Sequence, residues 1–176
     1  MATDFNQRND DALAIILQPD GEIVAAGDAT SPANFIDFAL TRYLPNGSLD
    51  TTFGAAGKVE TDFGGKNLDQ ARSVVLQADG KIVAAGTTVS KNGFTQKFAI
   101  ARYNSTGSQD ITFGRRGLTT VNFGGFGQIA HSILLQPDGK LVTVGFSDNE
   151  SSDSGFLIAR VNSNGTLDST FGSGGE

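Results

Sequence analysis

The sequence predicts an all-β fold: a β-propeller with three four-stranded antiparallel blades. Similar long segments recur at a fixed interval, each contains four short strand-like runs, and no window shows the 3.6-residue apolar spacing of a helix. Repeats of this size bury their apolar faces against one another, as propeller blades do. We therefore expect one propeller segment over residues 1–176, with repeats at about 1–60, 61–120 and 121–176.

The interval between the repeats is just under sixty residues. The phrase LQPDGEIVAAG at 17–27 returns as LQADGKIVAAG at 76–86 and as LQPDGKLVTVG at 135–145. Phenylalanine keeps the same interval, because nine of the 13 Phe occupy three repeated positions, namely 5/63/123, 38/98/156 and 53/113/171. We interpret these nine rings as the core of the repeat.

The first two strands of each unit are predicted to form a hairpin. The first is a continuous apolar run, ALAIIL at 12–17, ARSVVL at 71–76 and AHSILL at 130–135, which is typical of a strand covered on both faces. An Asp-Gly turn follows, in which glycine takes the positive φ that the turn needs. The second strand then returns as EIVAAG, KIVAAG or KLVTVG.

The third and fourth strands complete the predicted blade. The third alternates apolar residues and Arg on one face, as DFALTRY at 37–43, KFAIARY at 97–103 and FLIARV at 156–161. After a turn region, GKVETDF at 57–63 and GLTTVNF at 117–123 read as the fourth strand. Four antiparallel strands per unit are the composition of a propeller blade.

These motifs together resemble a known repeat family. The LQxDGK phrase, FAIARY, a turn with LDTTFG and then GKVETDF are similar to the delta-sixty repeat, a β-propeller repeat of bacterial proteins. The resemblance covers essentially all 176 residues. It implies the propeller fold, but it implies no activity and no catalytic residues.

Composition argues against several classes of function. The formal net charge is −6 and the basic residues are scattered, which argues against a nucleic-acid partner. The chain has no cysteine, so disulfides and thiolate chemistry are excluded. It also has no apolar run of about 18 residues, and MATDFNQRND is not signal-like, so we expect no signal peptide, membrane span or membrane partner. We expect no cofactor, and the compartment stays open.

One set of aligned positions is the candidate ligand-binding site. The single histidine, His131, aligns with Leu13 and Arg72, where the inner strands are predicted to begin. His131 can be read as a tolerated substitution near a strand end, or the three can line one mouth of the channel. A hydrolase or lyase at this mouth is a rival reading, but no GxSxG-type motif accompanies the histidine. We therefore expect a protein that is not an enzyme.

A repeated arginine and a repeated aspartate are predicted to pair in every blade. Each Arg shares a strand face with Phe and with Leu or Ile, so its guanidinium should be buried and should need a carboxylate. An Asp follows eight residues later. The predicted structural pairs are Arg42 with Asp50, Arg102 with Asp110, and Arg160 with Asp168.

The connections between the second and third strands vary most between the units. Variable loops on a rigid scaffold are where binding usually resides, so this rim is a second candidate ligand face. Asp148, Glu150 and Asp153 are weak candidates for a hard cation, but their spacing fits no EF-hand, and a solvated acidic loop is the alternative. Asn-Gly turns explain the N-glycosylation sequons at Asn46 and Asn164 without a sugar.

The function expected from these features is that of a scaffold or binding module. A lectin-like role and an excised or engineered propeller fragment are the alternatives. Natural propellers use about four to eight blades, so three blades should assemble further. The segment MATDF at 1–5 aligns with the end of a fourth strand, and Gly175-Glu176 aligns with the start of one. We predict a homodimer with six blades, in which Phe5 is buried in the partner's third blade, and a nine-bladed homotrimer is the alternative.

Overall fold

The computed structural model describes residues 2–33, 35–64, 68–89, 95–125, 127–148 and 155–176. Within these ranges, eleven strands form three antiparallel sheets, and there is no helix. It follows that no helical segment of the described chain has the length and hydropathy to cross a membrane. The all-β, antiparallel architecture predicted from the sequence is confirmed.

Each sheet corresponds to one repeat and is called a blade. Blade 1 contains β1 (Asp10–Leu17), β2 (Ile23–Thr30), β3 (Ile36–Tyr43) and β4 (Lys58–Thr61), and blade 2 contains β5 (Asp69–Leu76), β6 (Ile82–Val89), β7 (Gln96–Tyr103) and β8 (Leu118–Val121). Blade 3 contains β9 (Gly127–Leu135), β10 (Leu141–Asp148) and β11 (Gly155–Val161). The strands pair in chain order. Four strands per blade were predicted, and the third sheet has three strands in the described residues.

The outer strands β4 and β8 are shorter than predicted. Before β4, Gly57 takes a φ of 93° and ends the preceding turn. After β4, the backbone N–H of Phe63 donates a hydrogen bond to Asp69 Oδ2 at 2.8 Å and so leaves the sheet. Both ends of the strand are therefore set by turn and side-chain bonds, which a run of alternating residues does not reveal.

Each inner strand contains a β-bulge at the same place. In blade 1, Ala12 pairs with Gly27 and Ala14 pairs with Ala26, so Leu13 has no partner in the register. A Cβ on Gly27 would lie 1.8 Å from the carbonyl oxygen of Asp11, so only glycine permits this approach of the two backbones. The same shift occurs at Arg72 in β5 and at His131 in β9.

The hydrophobic core lies between the blades rather than within any one of them. The first junction, between blades 1 and 2, buries residues of both sheets, including Val24, Phe38, Leu40, Ile82, Ala101 and Tyr103. The second junction, between blades 2 and 3, buries the matching set, including Val83, Phe98, Ile100, Leu141, Ala159 and Val161. Because the faces at these two junctions are covered by the neighbouring blade, the repeat is stabilised by its neighbours.

The expectation that the first strand of each unit is covered on both faces is wrong for β1, and also for β9, where Leu134 is 51% exposed. Ile15 is 70% exposed, whereas Val74 and Ile133 at the same repeat position are 7% and 5% exposed. Leu17 is also exposed, at 69%. The three strands have similar sequences, and the difference arises because no blade in the described chain packs against this face of blade 1.

Candidate functional site

The candidate binding residues Leu13, Arg72 and His131 are the three bulge residues of the inner strands. The inner strands begin two or three residues earlier than predicted, so these residues lie inside the strands rather than at their starts. A bulge re-aims its side chain out of the regular alternation and is common beside functional sites. The structure therefore presents one unpaired side chain per blade along the inner strands.

The three bulge side chains have different surroundings. Leu13 is 47% exposed, and His131 is exposed and stacks on Phe146, with ring centroids 5.4 Å apart and an interplanar angle of 18°. Arg72 is partly buried, and its positive charge acts on the carboxylate of Asp28. Together they offer an apolar, a cationic and an aromatic contact. Such a set suits the binding of a ligand more than proton transfer.

Asp28 connects blade 1 to blade 2 beside the bulges. The amide Nε2 of Gln70 donates a hydrogen bond to Asp28 Oδ1 at 2.7 Å. Burial raises the pKa of Asp28 above its ordinary value, and the bond from Gln70 and the charge of Arg72 oppose that rise. The polar groups at this end of the first junction are thus held by contacts between the blades.

The structure brings together the repeated arginines and aspartates. In blade 1, Arg42 Nε donates to Asp50 Oδ2 at 2.7 Å, and the guanidinium lies 4.8 Å from the centroid of the Phe53 ring. Arg42 and Asp50 are 8% and 4% exposed. Blades 2 and 3 repeat the geometry, with Nε to Oδ2 distances of 2.9 Å for Arg102 and Asp110 and 2.7 Å for Arg160 and Asp168.

The aspartates of these pairs are held ionised. Burial alone would raise the pKa of Asp110, but two hydrogen bonds from Thr112 and the charges of Arg102 and Lys81 lower it to about 2. For Asp168, a hydrogen bond from Lys140 is the largest cause of a lowered pKa. A carboxylate with such a low pKa is a poor general base, so these residues are not suited to acid–base catalysis.

The arginines also link consecutive blades. Arg42 Nη1 donates to the carbonyl oxygen of Ser105 in blade 2 at 2.7 Å, and Arg102 Nη1 donates to that of Ser163 in blade 3 at 2.6 Å. Backbone bonds run beside them, from Gly54 N to Thr106 O at 2.8 Å in the first junction. These arginines therefore serve the structure, because their guanidinium groups bond to an aspartate of their own blade and to a backbone carbonyl of the next.

The sequence analysis missed one acidic cluster, at the first junction. Carboxylate oxygens of Asp37, Asp62 and Asp69 lie within 4.8 Å of one another. Burial raises the pKa of Asp37 and raises that of the fully buried Asp69 to about 6. Such a group can share a proton or hold a hard cation. An alignment of the repeats gives the one sequence signal for this cluster: Asp69 is acidic where the third repeat has the neutral Gln128.

Of the metal candidates in the variable loop, Asp148 alone lies within the described residues. Asp148 is the last residue of β10, and Glu150 and Asp153 lie outside the described ranges.

The predicted assembly residue Phe5 lies in an N-terminal segment, residues 2–5, that packs on blade 1. Its backbone N–H donates to Asp10 Oδ2 at 2.8 Å, and Lys58 Nζ lies 5.6 Å from its ring centroid. Lys58 also donates a hydrogen bond to the carbonyl oxygen of Asp4. The hydroxyl groups of Thr3 and Tyr43 are hydrogen-bonded at 2.7 Å.

The N-terminal segment repeats the geometry of the residues that end β4. Tyr103 and Thr61 are joined at 2.8 Å, as Tyr43 and Thr3 are joined in blade 1. Phe63 N bonds to Asp69, as Phe5 N bonds to Asp10. Thus the segment lies on blade 1 where the end of an outer strand lies on blade 2.

Comparison with known families agrees with this repeated geometry. Residues 18–53, 77–113 and 136–171 match the family described as "Domain of unknown function (DUF5122) beta-propeller". One match falls in each repeat, so the expected β-propeller repeat is confirmed, and the name delta-sixty stays a prediction. No curated protein matches the chain.

Proposed function

Because the chain belongs to the DUF5122 β-propeller family, we propose that it is a rigid, non-enzymatic scaffold whose three blades form a closed ring with those of a second copy. In this proposal the ring holds the bulge residues Leu13, Arg72 and His131 at one mouth of its channel, where they bind a ligand. Blades that bury their cores only against neighbours need a neighbour on both sides.

The observation that carries the proposal is the exposure of repeat positions at the two ends of the array. We call the face of each blade toward the following blade its trailing face, and the opposite face its leading face. On the trailing face, Phe38 and Phe98 are 0% exposed, whereas Phe156 is 102% exposed. One position further along that face, Leu40 and Ile100 are 0% exposed and Ile158 is 41% exposed.

The leading face of blade 1 also exposes apolar side chains, those of Ile15 and Leu17 on β1. The exposed side chains on these two faces are those that the inner junctions bury. Exposed apolar surface of this kind marks an interaction site, and its natural partner is the opposite face of another copy.

The unpaired edge of β11 supports the same assembly. In the described residues β10 is the only strand that pairs with β11, whereas β3 also pairs with β4, through Phe38 with Thr61. At the end of β11, Arg160 N is bonded to Gly175 O, so the free part of this edge is the part that begins at Phe156. By the repeat, Thr3 of a second copy is the residue that pairs with Phe156. A joined strand removes an edge that would otherwise template aggregation.

The use of the charged residues supports a scaffold rather than an enzyme. The buried arginines and their aspartates make intra-blade pairs, and Arg42 and Arg102 bond to the next blade. Groups engaged in this way contribute stability and orientation, and their lowered aspartate pKa values leave little capacity to accept a proton.

Light scattering coupled to size exclusion tests the ring closure. We expect a particle with twice the mass of one chain, and deletion of residues 1–5 should shift it toward a single chain. Three times the mass of one chain would favour the nine-bladed homotrimer. A wild-type protein that stays a single chain at all concentrations would contradict the proposal.

A further inference from the structure

The leading face of blade 1 carries a pocket of about 230 Å³. It lies between the N-terminal segment and the sheet. Its lining combines Phe5, alanines and Gly27 with polar groups, among them Tyr43 and the carboxylates of Asp10, Asp11 and Asp28. We call it the leading-face pocket. Its floor is formed by residues of the sheet with small side chains, namely alanines and Gly27, which lies opposite the bulge. Phe5 forms part of its rim.

At the second junction, a phenylalanine occupies the place that corresponds to this pocket. A Cβ built on Gly145 of blade 3 would lie 2.8 Å from Cζ of Phe98 in blade 2, so that ring lies directly against the glycine. Gly145 aligns with Gly27 of the leading-face pocket, and Phe98 aligns with Phe156. The repeat therefore identifies the position whose side chain fits the pocket.

The aromatic rim repeats as well. Phe98 packs on Phe123 and Phe38 packs on Phe63, with ring centroids 4.9 Å apart in both pairs. Phe5 aligns with Phe63 and Phe123, and the structure gives it no such ring pair among the described residues. The pocket thus has the glycine floor and the aromatic rim of an inner junction.

We propose that Phe156 of one copy inserts into the leading-face pocket of a second copy, over Gly27 and against Phe5. This assignment rests on the ring closure proposed above, and it names the side chain that anchors it. A fully buried aromatic in a well-packed pocket at the centre of an interface is the usual energetic anchor of an assembly. In a two-chain ring the contact occurs twice, which makes the assembly sensitive to this one position.

Two variants separate the two sides of the contact. Phe156→Asp replaces the ring with a negative charge at a pocket whose lining also contains the carboxylates of Asp10, Asp11 and Asp28. Ala25→Trp fills the pocket while Phe156 stays intact. We expect each variant alone to be a folded single chain in light scattering and circular dichroism. In an equal mixture, the Phe156→Asp chain supplies an intact pocket and the Ala25→Trp chain supplies an intact Phe156. We therefore expect a two-chain particle that neither variant forms alone.

Ile111→Asp is the matched control. Ile111 is 73% exposed on a turn of blade 2, away from both terminal faces, so this variant should keep the wild-type mass. The milder Phe156→Ala covers the case in which the aspartate variant fails to fold. It should raise the dissociation constant of the dimer by about 100-fold or more.

The outcomes distinguish the two proposals. A wild-type dimer that Phe156→Asp and Phe156→Ala leave intact would overturn the role of Phe156 and leave the ring closure standing. A wild-type single chain would overturn both. Single-chain variants that form a particle only when mixed would support both.

Discussion

The two junctions of the molecule share their apolar packing and differ in their polar contacts. Each places a Phe pair with centroids 4.9 Å apart at its core, Phe38 with Phe63 in the first and Phe98 with Phe123 in the second. In each, the arginine of one blade also bonds to a backbone carbonyl of the next. These shared contacts account for the similar geometry of the two junctions.

The polar positions beside this packing are acidic in the first junction alone. Asp28, Asp37 and Asp69 align with Thr87, Lys97 and Gln128, and burial raises the pKa of all three aspartates. At the position of Asp69 the second junction has the neutral Gln128, so no carboxylate is desolvated there. There the amide of Gln128 donates to Asn122 Oδ1 at 2.9 Å and to Gly124 O at 2.8 Å.

Apolar packing and the arginine link therefore define a junction, while its polar positions set the response of its stability to pH. The repeat keeps the first set of residues and varies the second. If this division is correct, substitutions in the shared set should have equal effects on both junctions, and substitutions in the varied set should not.

The largest effect is expected from the shared phenylalanines. Phe38→Ala and Phe98→Ala each remove a fully buried ring, so each should lower the free energy of unfolding by about 3–5 kcal/mol. Urea titration measures both, and Ile111→Ala on the exposed turn serves as the control. If the losses in free energy of unfolding differed widely between Phe38→Ala and Phe98→Ala, the two junctions would not be equivalent.

The arginine link should have the next largest effect. Arg42→Ala leaves the buried Asp50 without a cation, and Arg102→Ala leaves the buried Asp110 with Lys81 alone, at 3.4 Å; each change should cost about 3 kcal/mol. Arg160→Ala is the comparison within the same repeat position, because the Arg160 side chain is 20% exposed and that of Arg102 is 7% exposed. We expect the smaller loss for Arg160, because its side chain is more exposed and Asp168 also keeps Lys140 at 2.9 Å. An equal loss for all three would refute the contribution of burial and of the remaining lysine.

The smallest effect is expected from Asp69→Asn, and its sign is opposite. Burial raises the pKa of Asp69 from 3.8 to about 6, so between these values the folded chain retains a proton that the unfolded chain releases. Ionisation therefore destabilises the fold increasingly as the pH rises, up to about pH 6. The asparagine should raise the free energy of unfolding by about 1–3 kcal/mol at pH 7 and change it little below about pH 4.

Gln128→Glu is the reverse exchange in the second junction. It should reduce stability at pH 7 and restore most of it near pH 4, as measured by thermal unfolding at the two values. If Asp69→Asn gave the same change in stability at both pH values, the acidic character of the first junction would have no part in its stability.

The repeat positions explain which features could be predicted from the sequence. The hairpins follow from local apolar runs and Asp-Gly turns, and the pairing of Arg42 with Asp50 follows from a buried charge and a spacing of eight residues. Both depend on residues within one repeat. For that reason a single unit contains enough information to predict them.

Other features depend on neighbouring blades or on backbone register, and the pattern could not reveal them. Ile15 and Val74 occupy the same motif, but their exposure differs with the presence of a preceding blade. The acidic cluster joins residues of two blades. The bulge at Leu13 depends on the close approach of Asp11 to Gly27, which apolar periodicity does not encode.

The bulge has a consequence for how such a repeat evolves. Since Leu13, Arg72 and His131 lie outside the cross-strand register, a change of side chain there leaves the register of the paired strand unchanged. Duplication of the repeat copies this position together with the framework, and each copy can then diverge alone. The three residues are already as different as an aliphatic chain, a guanidinium and an imidazole, so this position can vary in chemistry while the blades remain unchanged.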